Sequence, residues 1–240
     1  MLTNTLIDAD DVVYGLARSP AFERDGICFS ARLSGLYRSE DGGASWQPAY
    51  NALHLSEPLA TTAVALSPTF ERDQVVFAGI NGGVLRSADG GATWHTAMLP
   101  KPPPLVSTLA VSPNFAIDNT LLAGTLEDGV FCSTDGGTHW TAWNFGLLDL
   151  DVLTLALSPD FEHDQTVYVG TGTGIFRSAN GGRAWRECGF DSALAPVVAV
   201  RLSPEYAHDR TLYAETESHG HYVSIDQGNA WECLTAAGEC

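Results

Sequence analysis

The chain has 240 residues, 45% of them hydrophobic, and carries 29 acidic against 12 basic side chains, for a formal net charge of −17 and a pI near 4.5. This length buries a substantial core within a single domain, residues 1–240. The charge excludes a nucleic-acid partner, which requires clustered Lys and Arg, and equally excludes docking on anionic lipid; with no run near the ~18 apolar residues of a spanning helix, no membrane insertion is expected.

The opening stretch Met1-Leu2-Thr3-Asn4-Thr5-Leu6-Ile7-Asp8 has neither a basic region nor an apolar run, so it does not read as a signal peptide. The five cysteines are odd in number and fall at unmatched positions. Cys28 lies in a second strand, Cys132 in a third, Cys188 and Cys233 in fourth strands, and Cys240 in the tail. They read as reduced thiols of a cytoplasmic protein.

One set of elements then recurs five times. Each copy opens on an apolar strand ending in Ser-Pro, at Val12–Pro20, Thr61–Pro68, Ser107–Pro113, Val152–Pro159 and Val197–Pro204. Near-continuous apolar runs such as Leu153-Thr154-Leu155-Ala156-Leu157 fit a strand buried on both faces, and the proline ends it. A turn follows with an aromatic and an aspartate at fixed offsets: Phe22 and Asp25, Phe70 and Asp73, Phe115 and Asp118, Phe161 and Asp164, Tyr206 and Asp209. The aromatic plugs the space between repeats and the Asp caps the turn. These carboxylates lie too far apart to share a metal, and none is expected. The second strand is short and rich in β-branched or aromatic residues, as in Gln74–Gly79 and Gln165–Gly170. The third, as in Gly83-Val84-Leu85-Arg86, runs into an octapeptide of the form Ser-x-Asp-x-Gly-x-x-Trp, and the fourth starts at its Trp.

That octapeptide organises the chain. Its marker residues are Ser39, Asp41 and Trp46; Ser87, Asp89 and Trp94; Ser133, Asp135 and Trp140; Ser178, Asn180 and Trp185; and Ser224, Asp226 and Trp231. Copies begin at steps of 48, 46, 45 and 46 residues, the mark of stacked supersecondary units. Within each, Ser and Asp oxygens accept turn N–H groups, glycines supply positive φ, and the Trp ring covers the hairpin with its N–H seeking an acceptor. The motif resembles the Asp-box (BNR) repeat of sialidases, sortilin-type receptors and photosystem II assembly factors, which are β-propellers. The expected fold is therefore an all-β, five-bladed propeller with four antiparallel strands per blade and the box between the third and fourth. Blades span approximately 12–55, 56–103, 104–148, 149–194 and 195–236, with almost no helix. No strand is exchanged between termini; closure rests on blade 1 against blade 5, helped by Leu2–Ile7 on an edge, with an open arc or a two-chain ring as alternatives.

Departures between copies locate candidate function. The linker from box Trp to Ser-Pro is longest after blade 1 and holds Asn51, His54 and Glu57; the next contains the stiff run Lys101-Pro102-Pro103-Pro104. The third holds Trp143, the one tryptophan of six outside a box, with Phe145, Asp149 and Asp151. Spare aromatics in a loop fit contact with a protein or a sugar, or else cover the edge of blade 3. In blade 5, Glu215 takes the place of Gly79, Gly124 and Gly170, and opens the segment Glu215-Thr216-Glu217-Ser218-His219-Gly220-His221. Glu217, His219 and His221 alternate as metal ligands would, but Gly220 breaks the alternation at a turn. Blade 3 adds Glu127 and Asp128 in its corresponding loop.

The resemblance also raises sialidase activity. Sialidases use three arginines, a Tyr with a Glu partner, an Asp acid and six blades. Here Arg38, Arg86 and Arg177 precede box serines, Arg24 and Arg72 sit beside the capping Asp, Arg18 and Arg201 belong to inner strands, and Arg32 alone reads as a face-loop arginine. The Arg-Ile-Pro signature is absent. Another glycosidase would need two carboxylates ~5–5.5 Å or ~6.5–9.5 Å apart, drawn from Glu127, Asp149, Asp151, Glu215 and Glu217. No nucleophile elbow, phosphate loop, CxxC or HExxH is present. The reading is thus a non-catalytic scaffold or accessory subunit that binds another protein or complex without a cofactor, with Trp143, Phe145, Glu127, Asp128, Glu217 and His219 as contact residues. A glycan-binding lectin, or a sialidase-like hydrolase, is the alternative.

Overall fold

The computed structural model describes residues 11–100 and 103–234. The expected Leu2–Ile7 edge pairing, Lys101-Pro102 and Cys240 lie outside them. The chain divides into two compact units, Met1–Leu109 and Ala110–Cys240.

Five four-stranded antiparallel sheets are present, each laid out in chain order from inner to outer strand. They comprise β1 (Val13–Arg18), β2 (Cys28–Arg32), β3 (Gly35–Ser39) and β4 (Gln47–Pro48); then β5 (Ala63–Leu66), β6 (Val76–Ile80), β7 (Gly83–Ser87) and β8 (His95–Met98). The third holds β9 (Leu105–Val111), β10 (Leu121–Leu126), β11 (Gly129–Ser133) and β12 (Thr141–Ala142). The fourth and fifth hold β13 (Val152–Leu157), β14 (Val167–Thr171), β15 (Ile175–Ser178), β16 (Arg186–Glu187), and β17 (Val197–Leu202), β18 (Leu212–Thr216), β19 (His221–Ser224), β20 (Glu232–Cys233). This is the five-bladed all-β propeller class that the repeats specify.

Two expectations need correcting, those on inner-strand burial and on the cysteines. The strands buried on both faces are the second ones, β2, β6 and β14, whereas β13 is only partly buried. An inner strand is a sheet edge with a neighbour on one side alone, so its side chains stay partly open. Helix is as scarce as expected, confined among the described residues mainly to the turn after each inner strand, which winds into one helical turn: α1 (Phe22–Asp25), α2 (Phe70–Asp73), α3 (Phe115–Asp118), α4 (Phe161–Asp164) and α5 (Tyr206–Asp209). Cys28, Cys132 and Cys188 are free thiols, but Cys233 is disulfide-bonded, so the cysteines do not argue together for a reducing compartment.

Each one-turn helix is locked by its aspartate. The Ser of Ser-Pro donates to one carboxylate oxygen at 2.5–2.6 Å, as Ser19 to Asp25, Ser67 to Asp73, Ser112 to Asp118, Ser158 to Asp164 and Ser203 to Asp209. The other oxygen accepts the N–H of Ile27, Val75, Thr120, Thr166 or Thr211, which leads into the second strand. One carboxylate therefore ties the end of one strand to the start of the next. The helix aromatic reaches the preceding blade: Phe70 meets Phe29 edge-on with ring centres 6.0 Å apart, and Tyr206 meets Tyr168 likewise at 6.0 Å, their hydroxyls 2.7 Å apart.

The box forms a tight turn in every blade. In blade 2, Ser87 Oγ donates to Asp89 Oδ1 at 2.7 Å and accepts the Gly91 N–H at 2.8 Å, while Asp89 takes the Thr93 N–H and hydroxyl. Asn180 repeats this pattern with an amide oxygen, bonding Ser178 at 2.8 Å and the Ala184 N–H at 2.9 Å, so geometry rather than charge builds the turn. Hydrogen bonds from Ser45 to Asp41, and from Thr93 to Asp89, hold those carboxyls near a pKa of about 2. At Asp135 partial desolvation opposes the shift but is outweighed by bonds from His139, Ser133 and Thr138, again giving about 2.

Stacking between blades requires small residues at two register positions. A Cβ on Gly79 would lie 2.5 Å from Val106 Cγ1, and one on Gly170 would lie 2.7 Å from Thr154 Cγ2 and 2.8 Å from the Val197 carbonyl. Next to them Ala17, Ala65 and Ala156 pair with Phe29, Phe77 and Tyr168. Blade 5 breaks both rules, with Glu215 opposite Ala199 and Arg201 opposite Tyr213. Tyr213 is 44% exposed where its counterpart Tyr168 is wholly buried.

Gly170→Val should therefore cost about 1–3 kcal/mol by overpacking, while Glu215→Ala should be nearly neutral; urea denaturation of both variants checks the contrast. The box carboxyls titrate lower folded than unfolded, so their contribution is complete above the unfolded value of ~3.9 and is lost as pH falls toward 2. Thermal melts should lose stability between about pH 4 and pH 2, with a shallower loss in Asp89→Asn, which adopts the side chain blade 4 already carries.

Candidate functional site

The site grows from the tail that leaves β12. Trp143 N–H donates to the Val130 carbonyl at 2.9 Å, prolonging the pairing with β11 by one residue. Asn144 then caps the β10–β11 hairpin: its Oδ1 accepts the Val130 N–H at 2.8 Å and its Nδ2 donates to the Asp128 carbonyl at 2.9 Å. Beyond it the tail crosses to the next blade. Trp185 Nε1 donates to the Trp143 carbonyl at 2.8 Å, and the Trp185 N–H to the Phe145 carbonyl at 2.9 Å. A Cβ on Gly146, at φ +81°, would lie 2.4 Å from the Trp185 carbonyl, so only glycine permits this approach.

Trp143 and Phe145 consequently have different fates. The Trp143 ring packs on the core formed by Leu122, Val152, Phe161 and Trp185, and the Arg183 guanidinium covers it at 4.7 Å. Phe145, its backbone pinned, leaves its ring 81% exposed. It lines a groove of about 570 Å³ with Arg177, Asn180, Trp185, Arg186 and Gln227. Arg177 lies over Tyr168 at 5.9 Å and donates Nη1 to Gln227 Oε1 at 2.7 Å. Arg186 is its register partner on β16 and is exposed. No carboxylate approaches either guanidinium within 4.0 Å among the described residues.

The expected acidic residues fall in two places. Glu127, exposed at φ +73°, donates its N–H to Asp151 Oδ1 at 2.9 Å, and the Asp128 carbonyl holds Asn144, so both join the blade 3 tail through its hydrogen bonds. Asp149 accepts the Asp151 N–H and the Thr173 hydroxyl; partial burial raises its pKa, but these bonds outweigh it and keep the group below the usual carboxylate value. Glu217 and His219 belong to the β18–β19 turn. Glu217 N–H donates to the Pro196 carbonyl at 3.1 Å, and His219 N–H to Thr216 Oγ1 at 2.9 Å. No hydrogen bond or ion pair joins this turn to the blade 3 tail among the described residues. Gly220, at φ +87°, turns the chain so that Glu217, His219 and His221 do not form a shared ligand set, and no cluster of three metal-ligating side chains occurs among the described residues. Arg32, expected in a face loop, is buried instead, with Nε on Ser30 Oγ at 2.8 Å and its guanidinium over Tyr37 and Trp46.

Sequence reasoning passed over Arg177 and Arg186. Arg177 recurs at a repeat position, which masks it, but its strand partner does not recur: blades 1, 2, 3 and 5 place Gln47, His95, Thr141 and Glu232 there. Register pairing was the signal available.

No protein-family model matches the chain, and no curated protein matches it. Solved structures do. The chain is similar to an ancestral GH74 enzyme at 24% identity and TM-score 0.72, covering 93% of this chain and 31% of that one. It is similar to YCF48 bound to D1 peptide at 16% identity and TM-score 0.65, covering 92% and 67%, and to a chain of the nidogen/laminin complex at 12% identity and TM-score 0.63, covering 92% and 78%. The chain thus spans about a third of the GH74 enzyme. At these identities the shared property is the multi-bladed propeller fold. No helix among the described residues is long and apolar enough to cross a membrane.

The two aromatics predict opposite phenotypes. Trp143→Ala should lose about 2 kcal/mol by opening a partly buried cavity, whereas Phe145→Ala should stay within about 0.5 kcal/mol of the parent; urea titrations of the two variants measure the difference.

Proposed function

We propose that the chain is a non-catalytic propeller of the Asp-box type that binds another protein, as a scaffold or accessory subunit of a larger complex. The observation that carries this reading is Phe145: a ring 81% exposed on a backbone fixed at both ends, beside an open groove. A rigid, solvent-facing aromatic loses little conformational freedom on binding and is the kind of side chain that anchors interfaces. The likeness to YCF48 bound to a D1 peptide supports a fold suited to peptide contact. Against hydrolysis, Asp149 is held toward its ionised form by donors on both oxygens, which suits a structural acceptor and not a general acid. Glu217 and His219, in their separate turn, form a second, weaker contact region in this reading.

Affinity purification of a tagged chain from its native organism, followed by mass spectrometry after a salt wash, tests the proposal. A stoichiometric protein whose recovery falls about tenfold with Phe145→Ala, the loss of roughly one anchor residue, is the expected result. Recovery that is absent, or unchanged by Phe145→Ala, would overturn it.

A further inference from the structure

Blade 1 has a groove of about 480 Å³ at the repeat position equivalent to the one beside Phe145, lined in part by Arg38, Glu40 and Gln47. There the arginine is neutralised, with Arg38 Nη2 3.0 Å from Glu40 Oε1, and its strand partner is the uncharged Gln47. Blade 4 alters both features. Ala179 stands where blade 1 has Glu40, and Arg186 stands where it has Gln47. Two guanidinium groups are thereby set directly across a strand pair, where side chains share one face and like charges repel. Both belong to a chain with only 12 basic residues and a net charge of −17. Glu187, the next residue on β16, also lines the groove but makes no ion pair with either arginine. A buried Nε without an acceptor occurs in Arg38, Arg86 and Arg177 alike, so that feature belongs to the repeat and says nothing specific about blade 4.

We infer that Arg177 and Arg186 form a carboxylate receptor, and that the occupant is a peptide whose carboxylate lies next to an apolar side chain seated on Phe145. The inference deepens the protein-binding reading above and rests on it. An anion between the two guanidiniums relieves their repulsion and takes charge-assisted hydrogen bonds from both, Arg177 being held in place by Gln227 and the Tyr168 ring. Phe145 on the same groove selects a peptide over a bare inorganic anion, because it offers apolar area that phosphate cannot use. The overall negative charge does not prevent this, since at physiological salt the potential of distant charges is screened beyond ~8 Å. It does favour a short segment with a single carboxylate over a broad acidic surface.

The test uses the full chain labelled with 15N, following arginine Nε–Hε resonances during titration with N-acetyl-Gly-Phe free acid, its C-terminal amide, acetate and inorganic phosphate. The expected result is a saturable shift of two arginine resonances with the acid. The amide and the Arg186→Gln variant should each bind at least about fivefold more weakly, the loss of one charge-assisted hydrogen bond. Phe145→Ala should reduce affinity for the peptide toward that for acetate. Arg186→Gln should melt no lower than the parent without ligand, because removing a like charge relieves the pair. Equal binding of acid and amide, no shift with either, or phosphate binding as tightly as the acid peptide would each overturn the inference. If a partner is still captured through Phe145 in the purification experiment, the protein-binding reading survives that failure; if capture is lost as well, both fall.

Discussion

The box tryptophan is the joint on which the rest of the chain depends. A buried indole N–H must find an acceptor or lose the worth of a hydrogen bond. Trp94 and Trp185 find theirs outside their own hairpin, on the carbonyls of Ala49 and Trp143 in the preceding blade's tail, both at 2.8 Å. The octapeptide is thus a clasp between successive sheets as well as a hairpin turn. The box also supplies an acceptor of its own: Trp94, Trp140 and Trp231 donate to the Gly91, Gly137 and Gly228 carbonyls at 3.1–3.2 Å, and in blade 5 the Phe190 ring meets Trp231 edge-on at 5.2 Å.

The candidate groove follows from that joint. By gripping the Trp143 and Phe145 carbonyls, Trp185 sends one ring inward and leaves the other outside, and it places the outside ring beside the strand that follows itself. The residue after each box tryptophan therefore faces the residue before the box serine, which is an arginine in blades 1, 2 and 4 and Cys132 or Val223 in blades 3 and 5. In blade 1 that meeting is neutral and ion-paired; in blade 4 it joins two cations. The repeat leaves that position free to vary.

Much of this was legible in the residues. The period and turn chemistry specify five sheets of four strands, because glycines, Ser–Asp pairs and Ser-Pro breaks act locally. The partner of each capping aspartate was also within reach, six residues back in the Ser of Ser-Pro, as Ser112 with Asp118. What escaped depends on neighbours distant along the chain. Of the two readings of Trp143, contact residue or cover for blade 3, its partial burial against the cluster holding Leu122 and Trp185 bears on the choice and is invisible without the packing. Arg32 looked free because Ser30, Tyr37 and Trp46 close around it only in three dimensions. Inner strands read as doubly buried because an apolar run does not reveal that it forms a sheet edge. The arginine pair escaped because one member sits in a recurring position, and only strand register reveals the other.

Glu215 and Arg201 carry a consequence for the behaviour of the protein in concentrated solution. A chain of similar sheets has a leading face and a trailing face that are complementary by construction, the geometry from which open-ended head-to-tail fibres grow. Growth of that kind requires the trailing face to accept a foreign sheet at the same close approach that Gly79 and Gly170 allow. An acidic and a basic side chain stand in the fifth sheet where glycine and alanine stand in the fourth, so any sheet stacked there at that approach would meet two desolvation penalties and a steric barrier. Side chains of this kind at the two close-approach positions disfavour growth of that sort.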